Sequence, residues 1–127
     1  MLSVLPGINC YYICNTGLAF GLFADSHLYY HGIFVWITIL VIVAFIVALY
    51  KLIDRSRCYR ISYSMIIGGA LGNLFDRILY GAVVDFIDLH IKSWHWPTFN
   101  VADIAICVGI TILTGRFYYD FLKNNLN

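Results

Sequence analysis

The acidic residues of this chain are seven aspartates, at positions 25, 54, 76, 85, 88, 103 and 120, with no glutamate. Two of them sit where a carboxylate is costly. Asp85 lies inside Gly81-Ala82-Val83-Val84-Asp85-Phe86-Ile87, and Asp103 heads an apolar run that continues to Arg116. A carboxylate among such neighbours needs compensation, so its presence asks for a reason. A single acid there can cap a helix, and Asp103 suits a helix N-terminus. Two acids meeting at one boundary suit a shared-proton pair of the aspartic-protease kind. In that chemistry one carboxylate takes a proton from water while the other, protonated, donates to the scissile carbonyl. Spacing alone leaves Asp76 and Asp88 as alternatives for either place in the pair.

Other polar residues gather close by. They fall in Asn15-Thr16-Gly17, in Gly72-Asn73-Leu74-Phe75-Asp76-Arg77, and in Trp94-His95-Trp96-Pro97-Thr98-Phe99-Asn100. Gly68 and Gly72 form a GxxxG pair, which predicts close helix packing. Asn73 follows Gly69 by one turn, so its amide points along the packed stripe and wants partners. Arg77 shares a helix face with Asn73. The alternative for Arg77 is a pair with Asp76 that closes the helix end. His90 and His95 lie near acids, but their spacing fits no helical metal motif, and no metal site is expected. Trp94, Trp96, Tyr80 and Phe99 suit an aromatic belt at headgroup depth or substrate contact. Cys10, Cys14, Cys58 and Cys107 have no metal-binding spacing and read as free thiols. Cys58 is expected in a loop and Cys107 in the core.

These residues need a scaffold, and the composition says which kind. Of 127 residues, 61% are apolar and 12% charged, and the mean hydropathy is +0.80. Soluble domains hold about 45–50% apolar and about 25% charged residues. A globule of this size cannot bury so much apolar surface. A soluble enzyme, a disordered chain and a nucleic-acid binder are therefore excluded. Membrane spans are expected over roughly 33–50, 61–79 and 100–118, each near the length a bilayer needs. The first is free of charge from Ile33 to Tyr50, and within lipid such a run must be helical to satisfy its own backbone.

Lys51, Arg55, Arg57 and Arg60 crowd the first connection, and Arg116 and Lys123 flank the last span. The positive-inside rule places both cytoplasmic. The segment from Tyr80 to Phe99 has Lys92 as its one Lys or Arg and the first thirty residues have neither, so both are expected outside. Met1 to Gly7 shows no signal-peptide pattern. An outside N-terminus with three spans predicts that a further span belongs upstream of this chain.

The chain resembles the lipoprotein signal peptidases (signal peptidase II), bacterial membrane aspartic proteases. The matching stretches are Asn15-Thr16-Gly17-Leu18-Ala19-Phe20, Gly68-Gly69-Ala70-Leu71-Gly72-Asn73-Leu74-Phe75-Asp76-Arg77, Val83-Val84-Asp85-Phe86-Ile87-Asp88 and Phe99-Asn100-Val101-Ala102-Asp103. Four stretches in order are specific where one would be weak. The resemblance implies an all-α polytopic membrane protein, with three of the family's usual four transmembrane helices here. A small extended, β-like extracytoplasmic cradle is expected near the N-terminus. Residues 1–127 would form one membrane-embedded peptidase domain.

The resemblance further implies Asp85 and Asp103 as the catalytic pair. Asn15, Gly17, Asn73, Arg77 and Asn100 would bind substrate or organise the site. Asp76 would be a structural partner of Arg77, and Gly68 and Gly72 would serve packing. Gly17 and Phe20, with Trp94 and Trp96, are candidate walls or lids. The implied substrate is a prolipoprotein whose cysteine already carries diacylglycerol, cut just before that cysteine. No cofactor is implied. Membrane lipids and a globomycin-type inhibitor are the other expected partners, and the chain is expected to be monomeric. The implied location is the bacterial inner membrane, with the active site at the periplasmic face and the C-terminus cytoplasmic. The rival reading is a non-catalytic membrane module, either a decayed peptidase that binds lipoproteins or a transporter subunit.

Overall fold

The structure, a computed structural model, describes residues 2–16, 27–52, 56–126. Gly17 and Phe20 lie outside the described residues. Among the described residues there are three helices and four strands. The helices are α1 (His27–Leu52), α2 (Arg57–Tyr80) and α3 (Val101–Asn125). The strands are β1 (Leu2–Leu5), β2 (Ile8–Asn15), β3 (Val83–Ile91) and β4 (Trp94–His95). Each helix extends beyond the stretch that hydropathy marks. The added turns carry polar residues, whose backbone bonds close within the helix whether the side chains are wet or not.

Helices α1 and α3 contain stretches, His31–Leu52 and Val101–Asn125, long and apolar enough to cross a membrane. Their apolar side chains point outward: Trp36 is 72% and Leu40 70% exposed. A water-soluble protein buries such residues, so a continuous exposed patch of this kind needs an apolar surrounding. Helix α2 is the inner one. It buries Tyr59, Ser62, Tyr63, Ile66, Gly69, Ala70 and Asn73, and Phe45 of α1 meets Tyr63 with ring centroids 5.5 Å apart. At 24 residues, α2 is about 36 Å long.

Helices α2 and α3 run antiparallel in close contact. A Cβ on Gly69 would stand 2.5 Å from the Ala102 carbonyl oxygen and 2.7 Å from Ile106 Cγ1. One on Gly109 would stand 2.8 Å from Ile66 Cγ1 and from the Ser62 carbonyl oxygen. Gly72 is looser, with Ala102 Cβ at 3.4 Å, and a Cβ on Gly68 would meet nothing within 4 Å. The expected pairing of Gly68 with Gly72 is thus corrected: the close approach belongs to Gly69 and Gly109, because α3 crosses one residue further round the helix. Gly69→Ala should force the helices apart and lower thermal stability by about 1–3 kcal/mol, as overpacking does. Gly68→Ala should be neutral or slightly stabilising, since alanine is the better helix former. Thermal melts of both variants in detergent check the contrast, and equal melting temperatures would refute it.

The far end of the same pair is stapled by Asp120. It accepts a 2.7 Å hydrogen bond from Tyr59 Oη, and Arg116 pairs with it at 2.8 Å. All four cysteines are free thiols. Cys58 and Cys107 are both exposed and both helical, which corrects the expected loop and core placements.

The fold is not all-α. The strands form one sheet in the order β1-β2-β3-β4, so the extended cradle is not confined to the N-terminus. Strands β1 and β2 make a hairpin that turns at Gly7, whose φ of +86° lies in the left-handed region glycine favours. A lone hairpin leaves an unpaired edge and is marginal by itself. The edge of β2 is closed by β3 in antiparallel register, with Asn9 opposite Asp88 and Ile13 opposite Asp85. A register shift between Cys10 and Ile13 puts an extra residue on β2. Hydropathy could not reveal this pairing, because the two strands lie some seventy residues apart.

Candidate active site

Each end of the site is placed by a local feature of sequence. Helix α2 stops at Gly81, which takes a left-handed conformation (φ +72°) and donates its N–H to the Arg77 carbonyl. The chain then enters β3, and Asp76 Oδ2 accepts the Val84 N–H at 3.1 Å. This bond ties the end of α2 to the residue before Asp85. The expected Asp76–Arg77 pair is thereby corrected: among the described residues Asp76 holds strand backbone and makes no ion pair with Arg77. Adjacent helical residues point about 100° apart, which disfavours such a pair.

On the other side, Asn100 caps α3. Its side chain accepts the Asp103 N–H at 3.1 Å, and Asp103 Oδ2 accepts the Asn100 N–H at 3.1 Å, a reciprocal capping box. Asp103 does cap a helix, then, and its other oxygen takes a second partner. Asn73 Nδ2 donates to Asp103 Oδ1 at 2.8 Å. Asn100 Nδ2 donates to Asn73 Oδ1 at 3.1 Å and to Asp85 Oδ1 at 3.0 Å. Asn15 Nδ2 donates to Asp85 Oδ2 at 2.8 Å. Thus two carboxylates are joined through two amides, and both the amide nitrogen and the amide oxygen of the Asn100 side chain are engaged.

Burial makes the network consequential. Asp85 is 2% exposed, and Asn73 and Asn100 are also buried. A buried polar network is stabilising when each member is satisfied and costly when one is removed. Arg77 is half-buried beside it, with Nη1 donating to the Asn73 carbonyl at 3.4 Å. His31 Nε2 donates to the Arg77 carbonyl at 2.7 Å, which fixes α1 against the end of α2. Nothing in the sequence singled out His31.

Two open clefts flank the network. One, of about 470 Å³, is lined by Tyr12, Gly72, Asn73, Asp76, Tyr80, Val84, Phe86, Asn100, Val101 and Ala102. The other, of about 320 Å³, is lined by Leu89, Trp96, Phe99, Asp103, Ile104, Cys107 and Val108 and is largely apolar. Trp94 and Trp96 stand edge to face at 6.0 Å on the exposed rim of the sheet.

Asp88 lies apart from this cluster. It is fully buried and accepts from Asn9 Nδ2 at 3.1 Å and from His95 Nδ1 at 2.8 and 3.1 Å. The hydrogen bond from His95 holds its carboxyl below the ordinary value of 3.8, against the opposing effect of burial. A depressed carboxylate value contributes stability that is present above pH 3.8 and lost as pH falls through the lower folded value. Sequence spacing left Asp76 and Asp88 as rivals of Asp85 and Asp103; the fold gives each of these two rivals a different partner.

Two amide-tethered carboxylates thus lie at one end of an apolar helix bundle. The comparisons with known proteins show the family. The signature of the family described as signal peptidase (SPase) II matches residues 2–119, and the chain belongs to that family. It is 80% identical, over 126 residues, to the lipoprotein signal peptidase of Blochmanniella pennsylvanica, covering 99% of this chain and 76% of that protein. The lipoprotein signal peptidase of Yersinia enterocolitica is 44% identical over 112 residues, covering 88% of this chain and 66% of that one. A solved bacterial membrane enzyme superposes with a TM-score of 0.76 at 31% identity, covering 94% of this chain and 71% of its own. This chain therefore spans about two thirds to three quarters of the length of these proteins.

Proposed function

We propose that this protein removes signal peptides from diacylglyceryl-modified prolipoproteins, cutting before the lipidated cysteine, with Asp85 and Asp103 as the catalytic pair. The observation that carries the reading is the amide bridge through Asn73 and Asn100, which links both carboxylates at one end of the bundle. One carboxylate takes a proton from water as its oxygen attacks the scissile carbonyl. The other, protonated, donates to the carbonyl oxygen. Collapse of the tetrahedral gem-diol breaks the C–N bond: a hydroxyl proton of the diol returns to the carboxylate that had donated, and the proton gained from water passes to the leaving amine. The reaction consumes one water and returns the pair to a singly protonated state. Asn15, Asn73 and Asn100 hold the pair, and Arg77 supplies a fixed positive charge beside it.

The substrate's acyl chains fit an approach from the lipid side. Ile104 and Val108 stand on the exposed face of α3 and also line the apolar cleft that Asp103 borders. Three spans, α1, α2 and α3, would then cross a bacterial inner membrane, with the site periplasmic. The basic residues Lys51, Arg57, Arg60, Arg116 and Lys123 would mark the cytoplasmic end. The protein would act as a monomer, without a cofactor, and bind globomycin at the same site.

A transporter would need polar groups along a path through the bilayer. Instead the mid-helix hydroxyls of Thr38, Ser62, Thr111 and Thr114 each donate to a carbonyl one turn back in their own helix. The test is a cleavage assay in lipid bilayers with one precursor peptide offered with and without diacylglycerol on its cysteine. Cleavage of the lipidated form alone, blocked by globomycin, is expected. Binding without cleavage would replace the peptidase with a lipoprotein-binding module, and equal cleavage of both forms would remove the lipid specificity.

A further inference from the structure

We propose that His95 is a positioning residue: held against the buried carboxylate of Asp88, it anchors the return segment that delivers Asn100 to Asp85. The proposal rests on the reading of Asp85 and Asp103 as the reacting groups. Asp85 and Asp88 are three residues apart on one strand, so the pleat sends their side chains to opposite faces. Their partners agree with this. Asp85 bonds to Asn15 and Asn100, whereas Asp88 bonds to Asn9 and His95. The second face is a polar cluster in its own right. The His95 ring stacks on His90 with centroids 5.2 Å apart.

The connection to the site runs through the chain itself. After β4 the backbone returns along β3, with the Trp96 N–H donating to the Leu89 carbonyl at 2.8 Å. It then pairs Phe99 with Ile87 through bonds of 2.9 and 3.1 Å, and the next residue is Asn100. Strand β4 is only two residues long. Among the described residues, His95 is the one side chain between Trp94 and Phe99 that makes a hydrogen bond. Its partner is a carboxylate with no access to water, so releasing His95 leaves Asp88 with Asn9 alone and favours reopening the turn to hydrate it. The same segment supplies Trp96 and Phe99 to the wall of the cleft beside Asp103. A small shift there moves Asn100 with respect to Asp85, and misplacement near a reacting group is expensive in rate.

The test compares His95→Phe, His95→Asn and Asp85→Asn in the bilayer assay, with thermal melts of each protein. His95→Phe keeps a ring to stack on His90 but donates nothing to Asp88. It should lower kcat about 10- to 100-fold while KM stays within about threefold. His95→Asn places an amide N–H near the Nδ1 position and should recover most of the lost kcat. Should His95→Phe fail to insert, Asp88→Asn weakens the same bond from its other side and should lower kcat in the same direction. An unchanged kcat in a folded His95→Phe protein, or a loss that His95→Asn does not rescue, overturns the positioning role. Asp85→Asn keeps the two failures apart: an active Asp85→Asn protein overturns the reading of the site itself, whereas an inactive one beside a fully active His95→Phe protein overturns the anchor alone.

Discussion

Asp85→Asn and Asp103→Asn should each reduce cleavage of a lipidated precursor by about 10²–10⁴-fold, the scale of removing a general acid or base. The substitution is nearly isosteric, so the expected loss is chemical. Asp85 accepts from Asn15 Nδ2 on one oxygen and from Asn100 Nδ2 on the other. An asparagine there keeps one of these bonds and turns a donor toward the other, at about 1 kcal/mol of stability. Asp103 accepts from Asn73 Nδ2 and from the Asn100 N–H, and its replacement has the same cost. Both variants should therefore insert and melt within a few degrees of wild type while losing turnover. Single-turnover cleavage with thermal melts measures the two quantities separately. Full processing by either variant would end the assignment of the pair.

Asn100→Ala should have the second-largest effect, with a different signature. Its side chain donates to Asp85 and to Asn73 and accepts from the Asp103 N–H, so one truncation removes three hydrogen bonds. Loss of the cap alone costs about 1 kcal/mol. Freeing the two carboxylates from their common bridge should cost turnover about 10²-fold, the scale of a small misplacement. Asn100→Asp separates the two roles. It retains an oxygen for the Asp103 N–H, so the helix stays capped, but it loses both donors and sets a third carboxylate beside Asp85. Activity as low as that of Asn100→Ala, although the cap remains, is the expected outcome; the buried like charge beside Asp85 also lowers the melting temperature. Near-wild-type activity of Asn100→Asp would make Asn100 a helix cap and nothing more.

Family membership extends over nearly the whole chain, and it sharpens what the individual residues can be asked to do. Asp76 illustrates this. Adjacent to Arg77 in sequence, it reads as half of an ion pair, but its oxygen holds the Val84 N–H instead. Its contribution is the position of β3, one residue before Asp85. The same holds for the glycines. The spacing of Gly68 and Gly72 is the visible motif, whereas the helix crossing loads Gly69 and Gly109.

By itself the sequence determined the solvent class, the three helices, the candidate acids and the motifs that order them. These follow from local properties: hydropathy summed over twenty residues, a cap, a turn, a carboxylate among valines. Only the tertiary structure decided the rest. Asn15 reaches Asp85 across 70 residues of chain and Asn9 reaches Asp88 across 79, because β2 needs an edge partner and the register with β3 sets which side chains face each other. Asn73 meets Asp103 because Gly69 lets α2 and α3 approach closely one turn earlier. Register and helix crossing are properties of two segments at once, so neither segment's residues can state them alone. That is why four aspartates competed for two places in the sequence, and why their hydrogen-bond partners separate them in the fold.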